Sequence, residues 1–156
     1  MGARAQRSSA PRAQGRDVAL PCDRADALAR HLAGWELVIA RTGSLTSWHG
    51  EPLPPGTRTL WARERPDGPW LLDVKLERVE AGEWIYRRNE GVSRPLDEIG
   101  IELSGVPALR PEIVLLYLSG SQHPHDVHAA YRERVGQLDP PARRWLDEAL
   151  AIVGAR

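Results

Sequence analysis

The sequence is short of net charge, cysteine, lysine and long apolar runs, and each shortage excludes something. Lys plus Arg number 21 and Asp plus Glu number 21 in 156 residues, so the formal net charge is zero. Such a balance gives no general attraction to nucleic acid or to an anionic membrane surface, and neither is expected as a partner. The single cysteine, Cys22, excludes an internal disulfide and fits a reducing cytoplasm. No apolar run approaches the roughly 18 residues that a membrane-crossing helix needs. Arg4, Arg7, Arg12 and Arg16 near the N-terminus have no apolar segment behind them, which is not the pattern of a secretory signal. Lysine is nearly missing. Lys75 is the only one and the other basic residues are arginine, which, with abundant Ala, Gly and Pro, reads as GC-rich coding bias.

What is present suits one domain with a real core. Residues 1–15 have almost nothing to bury and are expected to form a disordered arm, solvated rather than anion-binding. Residues 16–156 are expected to form a single domain, with a sheet half over about 16–104 and a helical half over about 105–156. The stretch Trp70-Leu71-Leu72-Asp73-Val74-Lys75-Leu76-Glu77 anchors this reading. Leu72, Val74 and Leu76 fall on one side, and Leu71, Asp73, Lys75 and Glu77 on the other. That is the two-residue period of a half-buried strand.

Before it, Asp17 to Leu20 reads as a short strand closed by Pro21. Asp23 is placed to cap a helix through Leu28 and Leu32 that Gly34 ends. Trp35 to Arg41 alternates as a strand, Thr42 to Thr57 reads as a long loop, and Thr59 to Arg65 as a strand. Pro66-Asp67-Gly68 and Glu80-Ala81-Gly82 read as turns. Glu83 to Arg87 follows as a strand, and Gly105 to Leu109 reads as a connector. Arg110-Pro111-Glu112 opens a helix with Pro at N1, and Ile113, Leu116 and Tyr117 are its expected buried face. A helix over about 125–137 follows, then a last one capped by Asp139-Pro140, with Trp145, Leu146, Ala149, Leu150 and Val153 at helical spacing. The expected class is α+β, a mixed α/β sheet followed by a C-terminal helical half.

Three groups of residues could carry chemistry. Asp17 and Asp73 both lie in predicted strands. As neighbours, they would raise each other's pKa, and a divalent cation such as Mg²⁺ would relieve the repulsion. The plainer reading pairs Asp73 with Arg63 or Arg87 across the sheet. The run His123-Pro124-His125-Asp126-Val127-His128 superficially resembles a zinc signature of metallo-β-lactamase-like hydrolases, but its spacing differs, and a solvated helix start is the preferred reading. Cys22 has no base ordered beside it, so a small buried or partly buried residue is expected rather than a nucleophile. Core packing is the expected role of most of the six tryptophans.

Three motifs in order carry a resemblance. The first is Asp17-Val18-Ala19-Leu20-Pro21 with Gly34-Trp35-Glu36-Leu37. The second is Trp70-Leu71-Leu72-Asp73-Val74 with Glu83-Trp84-Ile85-Tyr86-Arg87-Arg88. The third runs from Gly105 through Leu109-Arg110-Pro111-Glu112 to Tyr117, with Asp126 and Arg143-Arg144-Trp145-Leu146 behind it. Together they resemble bacterial nucleotidyltransferase-fold proteins related to aminoglycoside adenylyltransferases, over roughly residues 15–153. The resemblance implies a nucleotidyltransferase-like sheet holding Mg²⁺ on two acids of one strand and a third nearby. An activated hydroxyl of an acceptor such as an aminoglycoside then attacks the α-phosphate of a nucleoside triphosphate, and pyrophosphate leaves. Asp17 matches the second acid, a metal ligand. Asp73 matches the third, a metal ligand and the catalytic base.

This sequence departs from that pattern at several charged positions. Gly15 stands where the first acid would be, Leu118 where a lysine would be, and His128 and Ala129 where a second acid would follow Asp126. The helix and Gly-rich turn that cradle the triphosphate have no counterpart. The resemblance therefore implies a truncated or degenerate member with weak or no transfer. The alternatives are an active Mg-dependent nucleotidyltransferase using Mg and an NTP, and a non-catalytic α+β module that binds a small molecule or a protein without a cofactor. Without the family's first helix, the sheet near Val18 and Leu20 is expected to lie open and to invite self-association.

Overall fold

The computed structural model describes residues 15–120 and 125–154, except for the side chains of 125–129. The fold is mixed α/β, a multi-stranded sheet followed in sequence by C-terminal helices. The chain divides into two compact units, Met1–Glu77 and Arg78–Arg156. Among the described residues, no helix is long and apolar enough to cross a membrane.

In the first unit, strand β1 (Arg16–Pro21) leads through a 3-10 turn (Cys22–Arg24) into helix α1 (Ala25–His31). Strands β2 (Glu36–Arg41), β3 (Ser44–Ser47) and β4 (Thr59–Arg63) follow, then the start of β5 (Leu72–Glu80). Their order across the sheet is β3-β2-β4-β5-β1. The first four pair antiparallel, and β1 joins β5 in parallel.

Alternation decides what each face does. Leu37, Ile39, Leu60, Ala62, Val74 and Leu76 all point to one side, where Ala25 and Leu32 of the α1 segment and Trp48 join them in a single core. Val18 and Leu20 pack against that core, half-buried. The open apolar patch expected near these two residues is therefore not there, because α1 covers that face. Asp23 does not cap α1. It sits inside the 3-10 turn after Pro21, and the residue at the cap is Arg24, with no side-chain hydrogen bond. The helix closes at Leu32, whose N–H reaches the Leu28 carbonyl at 2.9 Å, two residues before Gly34. The segment 42–57 is not all loop: Ser44–Ser47 returns as β3 alongside β2.

In the second unit the last residues of β5 pair with β6 (Glu83–Ile85), and β6 pairs with β7 (Ser93–Pro95). The β5–β6 link is the two-residue turn Ala81-Gly82, with φ of 50° and 82°. Two positive φ values match the right-handed twist of a hairpin, which is why a glycine is found here. After a 3-10 turn at Leu96–Glu98 comes a second hairpin, β8 (Gly100–Leu103) with β9 (Val106–Leu109). Most of the expected connector at 105–109 is thus a strand, and Pro107 is tolerated because, among the described residues, β9 is paired on one side only.

Helices α2 (Pro111–Ser119), α3 (His125–Gly136) and α4 (Pro140–Gly154) complete the chain. Ile113, Leu115 and Leu116 of α2 and Leu146 and Ala149 of α4 form a second core with Trp84, Tyr86, Val92 and Ile99. Within it Glu112 is only 2 % exposed, and it accepts a 2.8 Å hydrogen bond from Arg94 Nη1. The same guanidinium lies 5.2 Å from the ring centre of Trp145.

Helix α4 begins as its sequence says. The Asp139 carboxylate accepts from the N–H of Ala142 at 2.8 Å, satisfying a donor the helix cannot satisfy itself. Asp139→Ala is expected to lower stability by about 1 kcal/mol in a denaturant titration, and Asp139→Ser to restore most of it.

Candidate functional site

The expected site residues meet on the face of the first sheet that points away from the apolar core. Strand β1 pairs with β5 in the register Asp17↔Asp73, Val18↔Val74, Ala19↔Lys75, Leu20↔Leu76. In a parallel ladder, residues directly opposite share a face. Val18 and Val74 face the core, so Asp17 and Asp73 face the other way, side by side on strands about 4.8 Å apart. The row continues across β4 and β2 through Trp61 and Val38. The two aspartates that the sequence singled out are thus brought together.

The structure also supplies a cation that sequence reasoning passed over. Lys75 Nζ donates to Asp73 Oδ1 at 2.7 Å, with the two side chains 31 % and 17 % exposed. Residues i and i+2 of a strand share a face, so the signal was present in the alternation of residues 71 to 77. The partners expected for Asp73 are engaged elsewhere. Arg63 pairs with Glu36 directly across the β2–β4 ladder at 2.8 Å, donates to the Gly68 carbonyl and lies 4.3 Å from the centre of the Trp70 ring. Arg87, in the second unit, lies over Tyr117 at 5.1 Å. Asp17 is exposed and has no ion-pair partner among the described residues.

Position 15 is closed. A Cβ built on Gly15 would land on the Leu71 carbonyl and lie 2.8 Å from the Leu72 nitrogen. Backbone cannot move aside as a flexible side chain can, so no acid fits two residues before Asp17. Gly15→Asp is expected to displace the start of β1 and cost about 1–3 kcal/mol. Thermal unfolding of that variant checks this.

The remaining candidates do not extend the site. Leu118 is half-buried against the second core, an apolar role. His123 and Pro124 lie outside the described residues, and His125, Asp126 and His128 are described only as helical backbone in α3. Cys22 is exposed at the start of the 3-10 turn rather than buried or half-buried, because Pro21 turns the chain out of the sheet there. Among the described residues, no group of three His, Cys, Asp or Glu side chains is placed to hold a metal ion. Tested against Mg²⁺, the donor set does not fit. One acid position is sterically closed, one acid is already neutralised by a lysine, and one exposed carboxylate is left.

Compared with protein-family models, with curated proteins and with solved structures, the chain finds no match in any of the three.

Proposed function

We propose that this chain is a nucleotidyltransferase-like protein with a degenerate site, making weak or no transfer of a nucleotide from an NTP to the hydroxyl of an aminoglycoside-like acceptor. The observation that carries this reading is the Asp17–Asp73 pair on adjacent parallel strands, with no room for an acid at position 15. The side-by-side register of Asp17 and Asp73 supports two of the three acids that the resemblance implies, and the close approach of the Leu71 carbonyl to Gly15 supports the loss of the other. Such a set neutralises a triphosphate poorly, because Mg²⁺ demands a near-octahedral shell of oxygens and gives up its waters reluctantly. What the face retains is one exposed carboxylate, Asp17, next to an acid already paired with a lysine, which suits binding rather than bond-making.

Calorimetric titration of MgATP and MgGTP into the protein, with a pyrophosphate assay in the presence of an aminoglycoside, tests the proposal. The expected result is no saturable heat in the micromolar range and no pyrophosphate above background. Micromolar binding with pyrophosphate release would establish the active reading instead.

One observation favours a second reading, a non-catalytic α+β binding module with no nucleotidyltransferase ancestry. The Lys75 ammonium accounts for Asp73 without any reference to a lost metal.

A further inference from the structure

We propose that Lys75 is a tethered cation that takes, on Asp73, the place a divalent ion would have beside the Asp17–Asp73 pair, so that one of the two acids is already neutralised and the face is closed to metal. The inference rests on the degenerate-site reading above and names the residue that shuts the site. Two carboxylates directly opposite on adjacent strands repel each other, and a sheet keeps such a pair at low cost only beside a positive charge. Lys75 is placed to supply it. Its neighbours in the ladder are Ala19 on β1 and Thr59 on β4, both small, so its alkyl chain has a free lane along β5 back to Asp73. The ammonium ends 2.7 Å from Asp73 Oδ1.

The choice of residue supports the same conclusion. Of the 21 lysine and arginine residues, all the others are arginine, and here alone lysine stands. A guanidinium is a planar fork made for two-point contact, whereas an ammonium is a compact, rotatable point charge. Of the two side chains, the ammonium is the closer mimic of a metal ion against one carboxylate oxygen. A metal ion and this ammonium compete for that oxygen, so a metal enters only when Lys75 leaves.

The test uses the full chain and Mn²⁺ alone, followed by electron paramagnetic resonance and by the thermal unfolding midpoint. The parent protein is expected to show no shift in midpoint up to millimolar Mn²⁺. Lys75→Met is expected to bind Mn²⁺ at least about tenfold more tightly and to gain stability as Mn²⁺ is added. Adding Asp73→Asn to Lys75→Met is expected to abolish the gain. Equal Mn²⁺ binding by the parent and Lys75→Met, whether tight or absent, overturns the proposal, as does a gain that survives Asp73→Asn. If Lys75→Met does not fold, Lys75→Gln gives the same readouts with a polar side chain of similar reach. The two proposals fail separately. NTP-dependent pyrophosphate release by the parent protein removes the degenerate-site reading, whereas an inert parent with no gain in Lys75→Met removes only the role of Lys75.

Discussion

Replacing Arg94 with methionine is expected to cost the second unit about 3–5 kcal/mol. Glu112, at 2 % exposure, is then left as a buried carboxylate without the guanidinium that donates to it at 2.8 Å. The loss exceeds that of an ordinary salt bridge because the cost lies in the charge left behind, not in the bond removed. Arg94 itself is well covered, with 16 % of its side chain exposed, and its stacking on Trp145 goes as well. The double variant Arg94→Met with Glu112→Leu removes both charges and is expected to recover most of the stability. Guanidinium denaturation followed by near-ultraviolet circular dichroism reads both variants. A single variant that loses less than about 1 kcal/mol, the worth of a surface pair, would show that Glu112 is better solvated than its burial implies.

Trp48→Ala is expected to have a similar effect on the first unit, about 3–5 kcal/mol. Trp48 is 1 % exposed and fills the core against Leu37, Ile39 and the α1 segment. Its backbone N–H reaches the Leu37 carbonyl at 2.9 Å, and its indole N–H donates to the Glu51 carbonyl at 2.8 Å. Trp48→Phe keeps much of the apolar volume but drops the indole donor, and is expected to cost about 1 kcal/mol for that bond, plus a smaller packing loss. The difference between the two variants separates packing from hydrogen bonding. If Trp48→Ala unfolds at the same denaturant concentration as the parent, the segment around it is not anchored through this ring.

These two residues also mark what the sequence made legible and what it hid. Trp84 and, on α2, Ile113 and Leu116 announced themselves through period and composition and are core, while Tyr117, expected with them, packs against that core half-buried. Trp48 sat in a Gly/Pro/Ser-rich stretch that read as loop. β3, beside it, is exposed along its whole length, so it has no buried face and no alternation to betray it. β7, β8 and β9 run for only three or four residues each, too short for a two-residue period to stand out. The alternation of residues 72 to 76 was enough to put Asp73 on the face away from the core. The register that sets Asp17 beside it comes from a parallel pairing between distant segments, which no local pattern encodes. Lys75 was readable, since it shares the face of Asp73 two residues on. The closure at Gly15 was not, because it depends on where the Leu71 carbonyl comes to rest.

The parallel seam between β1 and β5 has a kinetic meaning. The β2–β3 and β4–β5 pairings each close a modest loop, while β1 must find its partner across the whole span from residue 17 to residue 73. Loop-closure entropy makes such long-range pairing the slow one to form. Paired to a single neighbour among the described residues, β1 is, like β3 at the other edge, a place where the sheet can open transiently. The acid pair is therefore a property of the finished sheet: whenever that edge strand peels away, Asp17 leaves and Asp73 stays with its lysine.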